Sequence, residues 1–367
     1  MAATPVRLAL AGDVMTGRGI DQILPRPLPP RIQEVVVHDA RDYVALAEGR
    51  HGPIPRPVGY AWPWGDALDA LDAWAPHVRI MNLETSVTHS DDFAPGKAVH
   101  YRMSPENVGC LEVARTDVWT LANNHVLDYG PAGLQETLAA LSDVGLRTAG
   151  AGRDAAEAWQ PADARTTDGR ILVWAVGHGS SGTAAGWAAT AARPGVAYLA
   201  DFSESTAAAL GARIRDHRRA GDLVVVSIHW GANWGFQVPG EQVRFAHLLV
   251  DAGVDLIHGH SSHHARPAEV YRGRLVLYGC GDLVNDYEGI GGHREYRGDL
   301  RLVYLATLHP DGRLLDLRML PLQARRMRLE VAEPDSARWL AETLDRHSRA
   351  LGTRVAVAGD GLLWVQP

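Results

Sequence analysis

Five short polar clusters carry the residue types of a reactive centre: Gly12-Asp13, Asn82-Leu83-Glu84, Asn123-Asn124-His125 with Asp128, His229-Trp230-Gly231, and the run His258-Gly259-His260-Ser261-Ser262-His263-His264. Carboxylates, an amide oxygen and several imidazoles form a hard-to-borderline donor set that suits Mn, Fe or Zn better than thiolate-loving metals. Such a set can hold divalent cations that lower the pKa of water and ready it to attack phosphorus or carbonyl carbon. Without a metal the same groups are a dense array of acids and bases, with imidazoles titrating near neutral pH. Singly, each has a plainer reading. Gly12-Asp13 also fits a turn or helix cap, Asn82 and Glu84 fit capping or surface residues, and His229 fits a core histidine. Four imidazoles in seven residues are harder to place without chemistry. Seven of the 17 histidines fall between positions 229 and 293, where an even spread would put about three.

The elements that must position these residues are legible as apolar runs. Strands are expected at Val6–Ala11, Val78–Leu83, Val118–Ala122, Ile171–Val176, Leu223–Ile228, Asp255–His258, Arg274–Tyr278 and Leu300–Thr307. Helices are expected at Gly65–Ala75, Ala132–Val144, Ser203–Ala220, Gly240–Ala252 and Ser336–Leu351, each with apolar residues three or four apart. Strands alternating with helices predict an α/β fold with crossover connections, turning partly antiparallel near the C-terminus where strands follow directly. Each polar cluster sits at the end of one strand. In α/β sheets that is where ligands bind, so the clusters should converge in one cleft.

Two stretches break this rhythm. Residues 25–65 hold eight prolines with Trp62 and Trp64, which predicts a loop, either a lid over the site or a stiff packing loop. Residues 177–198 are rich in Gly, Ala and Ser and also read as loop. The glycine-rich run from Asp282 to His293 could swing His293 over the cleft mouth, its alternative being a solvent loop. Trp230 and Trp234 flank His229 and are expected to form a wall that stacks on substrate, although core packing is the commoner aromatic role. The simplest domain division is a body over residues 1–325 with an α/β appendage over 326–367.

Composition narrows the function. The 367 residues have a formal net charge of −7, and 35 of 36 basic residues are arginine, Lys97 being the single lysine. Scattered arginines and net acidity argue against nucleic-acid binding. Cys110 and Cys280 lie far apart and form no C-x-x-C pair, as in a reducing compartment. Neither a signal peptide nor a membrane span is legible, so a cytoplasmic protein is expected.

In order and spacing, the five clusters resemble the CapA family, poly-γ-glutamate capsule biosynthesis-type proteins on the calcineurin-like metallophosphoesterase fold. The likeness runs on through Arg266-Pro267-Ala268-Glu269-Val270-Tyr271-Arg272-Gly273 and Tyr278-Gly279-Cys280-Gly281-Asp282. It implies a four-layer α-β-β-α sandwich of two mixed sheets. It also implies a metal region of Asp13, Glu84, Asn124, His229, His260 and His263, with His125 as general acid. Three departures bear on the metal. Val14-Met15 follows Asp13 where metallophosphoesterases have Asp-x-His, Glu84 replaces their bridging aspartate, and Gly-His-x-x-His replaces Gly-His-x-His. A set short of one or two ligands binds metal weakly or not at all. CapA proteins are normally tethered at the membrane, and an intracellular enzyme is the expectation for this chain.

Three functions remain in play. The first is metal-assisted hydrolysis of a peptide, poly-γ-glutamate-like or phosphoester substrate. The second is metal-independent epimerisation, because peptide epimerases acting on a lasso-peptide precursor resemble this family. Inversion at Cα needs groups on opposite faces, and Asp13 and His293 are the candidates. The third is a non-catalytic protein that binds peptide or polyglutamate. Trp230, Trp234 and Asp282 are the expected substrate contacts.

Overall fold

Two sheets of mixed strand direction carry the fold in the computed structural model, which describes residues 4–166 and 169–366. The outermost residues of the two expected domains, 1–3 and 367, lie outside the described residues. In chain order the strands are β1 (Val6–Val14), β2 (Val78–Leu83), β3 (Val118–Thr120), β4 (Arg170–His178), β5 (Leu223–His229), β6 (Leu256–His260) and β7 (Ala268–Tyr271). They continue with β8 (Arg274–Leu277), β9 (Asp282–Val284), β10 (Leu300–Leu308), β11 (Leu314–Arg325), β12 (Arg354–Val357) and β13 (Leu363–Gln366). The longer helices are α1 (Arg41–His51), α2 (Asp66–Trp74), α3 (Gly130–Asp143), α4 (Glu204–His217), α5 (Gly240–Asp251) and α6 (Pro334–Ser348).

The first sheet runs β12-β13-β11-β10-β1-β2-β3, with β9 also on β1. Strand β1 is parallel to β2 and β9, and antiparallel to β10. The second sheet has β4-β5-β6-β8-β7 in that order, parallel except for β7, and its short strand Ala162–Arg165 also runs antiparallel on β4. Side chains alternate across a strand, and the second sheet uses both faces. Val173, Ala175, Val225, Leu256 and Leu275 join the large core shared with the first sheet. Their neighbours Trp174, Val224, Val226, Ile257 and Val276 pack with Leu210 and Ile214 of α4 and Phe245 and Leu249 of α5. The sheets also meet through polar atoms, Ser227 Oγ donating to Thr120 Oγ1 at 3.3 Å and His258 Nε2 meeting the Ala11 carbonyl at 2.9 Å.

The expected strands and helices are present, with ends shifted by a few residues. β1 and β6 run further than their apolar runs because each carries its polar cluster, Gly12-Asp13 and Gly259-His260, as its last turn of pleat. The loop expectation for residues 25–65 needs correcting. Helix α1 occupies Arg41–His51 inside it, buries Tyr43, Val44 and Ala47 on one side, and holds no proline. The prolines crowd its two flanks and mask it in any composition window. At the C-terminus β13 pairs with β11 through Arg318↔Trp364 and Met319↔Leu363, so the last strands extend the first sheet. Among the described residues no helix is long and apolar enough to cross a membrane.

Candidate active site

The parallel strands β1, β2, β3, β5 and β6 all end on one side, and their ends supply the polar groups. Gly12 makes the first of these possible. A Cβ there would lie 1.8 Å from the Gly281 carbonyl oxygen, so only glycine lets β1 cross this close. The Asp13 amide then donates to that same oxygen at 3.0 Å, and the β1–β2 register shifts between Ala11 and Asp13.

Asp13 is wholly buried, and both its oxygens are held. Asn82 Nδ2 donates to Oδ1 at 2.7 Å and the Ser261 amide donates to Oδ2 at 3.1 Å. Ser261 has φ of 101°, a conformation unusual for a residue with a Cβ and frequent at functional sites. Burial, and then the neighbouring charge of Asp282, push the Asp13 carboxyl up to about 7, against the pull of its Asn82 hydrogen bond.

His229 and His260, adjacent in register on β5 and β6, complete the innermost group. Their Nδ1 atoms lie 2.8 Å apart, and His260 Nδ1 is 3.5 Å from Asp13 Oδ1. Ser227 Oγ fixes the other side of the His260 ring at 2.8 Å and also meets His258 Nδ1 at 3.1 Å. His229 Nε2 points the opposite way, to Asn124 Oδ1 at 2.7 Å and Glu84 Oε1 at 3.6 Å. Burial holds both imidazoles well below their ordinary range, hence neutral. Glu84 is pushed well up by burial and then by Asp13, and its Oε2 is buried with no hydrogen-bond partner.

Two histidine–aspartate pairs flank this group. His125 Nδ1 donates to Asp128 Oδ2 at 2.6 Å, and its Nε2 lies 3.8 Å from Glu84 Oε1. Burial pushes His125 down to about 4 although Asp128 opposes the shift. His263 Nδ1 meets Asp282 Oδ1 at 2.9 Å, and Asn285 Nδ2 donates to Asp282 Oδ2 at 2.7 Å. Burial disfavours the His263 charge, but the adjacent Asp282 carboxylate outweighs it and the net shift is upward. The rings of Tyr101 and Tyr287 connect the pairs. Tyr101 stands edge-on to His125, Tyr287 edge-on to His263, and their hydroxyls lie 2.5 Å apart.

His263 and Asp282 open onto a cavity of ≈ 740 Å³, walled also by Tyr101, Tyr287, Trp234 and His293. Trp234 stacks on His293 with ring centroids 4.2 Å apart. The 25–65 segment contributes Tyr43, Arg50 and His51 to the same wall.

The structure thus gathers Asp13, Glu84, Asn124, His125, His229 and His260, with His263 and Asp282 on the cavity side. Trp230 must be taken out of the expected substrate wall. It is fully buried, stacks on Tyr278 and donates Nε1–H to the Tyr278 carbonyl at 3.1 Å. Following directly on β5, it falls on the sheet face that packs against the helices. His264 likewise turns away, stacking on Tyr296 and Trp234. Residues that sequence reasoning missed include Tyr101, Tyr287, Lys97 and Arg18. The Arg18 guanidinium binds Asp286 and Glu34 and lies over the Tyr43 and Tyr101 rings. Of these only Lys97 had a signal, being the single lysine.

One ligand atom from each of Asp13, His229 and His260 falls within 4.8 Å of the others. That clustering, beside the unpartnered Glu84 oxygen, fits one divalent cation bound by nitrogen and oxygen donors.

Comparison with known proteins follows the same residues. The model of the bacterial capsule synthesis protein PGA_cap matches residues 7–287. Probable polyglutamine synthesis accessory proteins of two Mycobacterium tuberculosis strains are 48% identical over 374 residues, covering 100% of this chain and 98% of theirs. The PGA biosynthesis protein CapA of Bacillus subtilis is 29% identical over 56% of this chain and 52% of its own. The capsule biosynthesis protein CapA of Bacillus anthracis is 28% identical over 76% of this chain and 59% of its own. With all five polar clusters inside the matched region, the chain belongs to the PGA_cap family of bacterial capsule synthesis proteins, the CapA family.

Proposed function

We propose that this chain is a CapA-type enzyme that hydrolyses a peptide, poly-γ-glutamate-like or phosphoester substrate with the help of a divalent cation. The observation that carries this reading is the meeting of Asp13, His229 and His260 donors beside a buried Glu84 oxygen without a partner. The names of the relatives, which refer to polyglutamine synthesis and PGA biosynthesis, favour the poly-amino-acid end of that substrate range.

A cation of the Mn, Fe or Zn type held by Asp13, His229 and His260, with Glu84 as a further oxygen donor, supplies Lewis acidity and lowers the pKa of water. The residues around it orient its ligands. Asn82 and the Ser261 amide fix Asp13, Ser227 fixes the His260 ring, and Asn124 fixes His229. His125 is neutral at rest, so it gives a proton to a leaving group only after taking one. It would take that proton at Nε2, the ring atom that faces Glu84 Oε1 across 3.8 Å. Trp234 and His293 provide an aromatic face for the substrate, and Asp282 holds His263 at the cavity floor.

On this reading the two sheets and their helices form the four-layer α-β-β-α sandwich of metallophosphoesterases. Residues 1–325 form the enzyme body, 25–65 its lid, and 326–367 an appendage. The test uses purified protein loaded with Mn, Fe or Zn and assayed on oligoglutamates, peptides and aryl phosphates. Asp13→Asn and His229→Ala should each lose both bound metal and turnover. Full turnover in excess chelator would overturn the proposal.

A second reading, metal-independent inversion at a peptide Cα, is favoured by the Asp13 carboxyl at about 7, suited to a base at neutral pH. His293 on the loop side of the cavity would be its partner. Peptides incubated with the enzyme in D₂O should then gain deuterium at one Cα, and none at any position rejects it.

A further inference from the structure

We propose that Lys97 is a positioning residue of this site, one ammonium that holds both the His125 ring and the Asn124 loop in working geometry. This inference rests on the hydrolytic reading for its kinetic consequence alone. The ammonium donates to the backbone carbonyl of Asn124 and to Asp128 Oδ1, and stands 3.3 Å from His125 Nδ1. The Trp187 ring lies beneath it, 5.0 Å to the centroid.

Each contact leads to a reacting group. Asp128 is fully buried and both its oxygens are engaged. Oδ1 takes the lysine, while Oδ2 accepts His125 Nδ1–H at 2.6 Å and the Tyr101 amide at 2.7 Å. A buried carboxylate with those bonds and no cation beside it would be costly. Lys97 therefore keeps Asp128 ionised as the acceptor for His125, which leaves His125 Nε2 free to face Glu84. The contact to the Asn124 carbonyl anchors the backbone of the residue whose side chain meets His229 at 2.7 Å.

The residue type follows from the geometry. Two acceptors, the Asn124 carbonyl and Asp128 Oδ1, converge on one point over the Trp187 ring, and a compact ammonium can send a hydrogen to each, whereas a planar guanidinium spreads its donors over a fork. Arginine fills 35 of the 36 basic positions in this chain. The exception stands where an arginine could not serve.

The single lysine makes the test direct. Protein labelled with ¹⁵N at lysine should give one side-chain Nζ resonance, protected from rapid hydrogen exchange at neutral pH and shifted in Asp128→Asn. The His125 ring, assigned by its loss in His125→Gln, should show one tautomer protonated at Nδ1 in the wild type and a mixture in Lys97→Arg. For any substrate the wild type hydrolyses, Lys97→Arg should lower kcat by about 10–100-fold, as for partners that orient site residues, with KM within about threefold. An Nζ signal that exchanges like free lysine overturns the proposal without any variant. An unchanged His125 tautomer with unchanged kcat in Lys97→Arg also overturns it. A wild type without hydrolysis rejects the proposed function instead, and the two resonance measurements then decide the role of Lys97.

Discussion

His229 and His260 face each other through their Nδ1 atoms at 2.8 Å. One of them carries the shared hydrogen and the other accepts it, so the accepting ring must be neutral, and burial disfavours the charged form of both. A cation held by Asp13, His229 and His260 would take the place of that hydrogen bond, and Asp13, at about 7, would give up its proton to serve as ligand. Calorimetric titration with Mn²⁺ in two buffers of different ionisation heat should therefore show proton release at pH 6.5. Less should be released at pH 8.5, and the affinity should rise in between. Heats independent of the buffer at pH 6.5 would refute this.

Stability of the metal-free protein should carry the opposite mark of Asp13. Its carboxyl is raised from 3.8 to about 7 in the fold, so the stability it contributes is complete below about 3.8 and is lost as pH rises through about 7. Thermal melts of wild type and Asp13→Asn between pH 5 and 8 should show the wild type losing ground against the variant as pH rises. A pH-independent difference between the two would contradict the raised carboxyl.

Arg18 ties the 25–65 segment to a loop 268 residues further along the chain. It pairs with Asp286 and, at 3.0 Å, with Glu34, while Tyr43 of α1 donates to the other Glu34 oxygen at 2.5 Å. Arg18→Met leaves two buried carboxylates without their cation, and breaking such a pair costs about 3–5 kcal/mol. Urea unfolding should show a loss of that size. Limited proteolysis should then cut first within residues 25–65, the segment that Glu34 and Tyr43 tie down.

Gly12→Ala tests the crossing that aims Asp13. The new methyl would meet the Gly281 carbonyl oxygen, at 1.8 Å from its ideal position, and backbone cannot swing aside as a side chain can. Overpacking of this kind costs about 1–3 kcal/mol or more. The variant should melt lower and bind Mn²⁺ more weakly, even though no ligand is changed.

Strand ends were the part of this molecule most legible in its sequence. Gly12-Asp13, Asn82, Asn124, His229 and His260 each follow an apolar run, and parallel strands bring such ends to one side. Helix α1 was hidden because flanking prolines dominate its surroundings, although Tyr43, Val44 and Ala47 keep a helical spacing. Trp230 was misread for a different reason: side chains alternate across a strand, so the residue next to His229 takes the opposite face of the sheet. Tyr101, Tyr287 and Arg18 left no local pattern at all, since their roles arise from contacts between separate segments, as between the two tyrosine hydroxyls or between Arg18 and Asp286.

The most direct measurement is the metal content of freshly purified protein beside that of Asp13→Asn and His229→Ala, with turnover followed on the same samples. About one equivalent of a transition metal in the wild type is expected for a single Asp-His-His site, with metal and activity lost together in both variants. Undiminished turnover in wild-type protein stripped of metal would contradict the account at its centre.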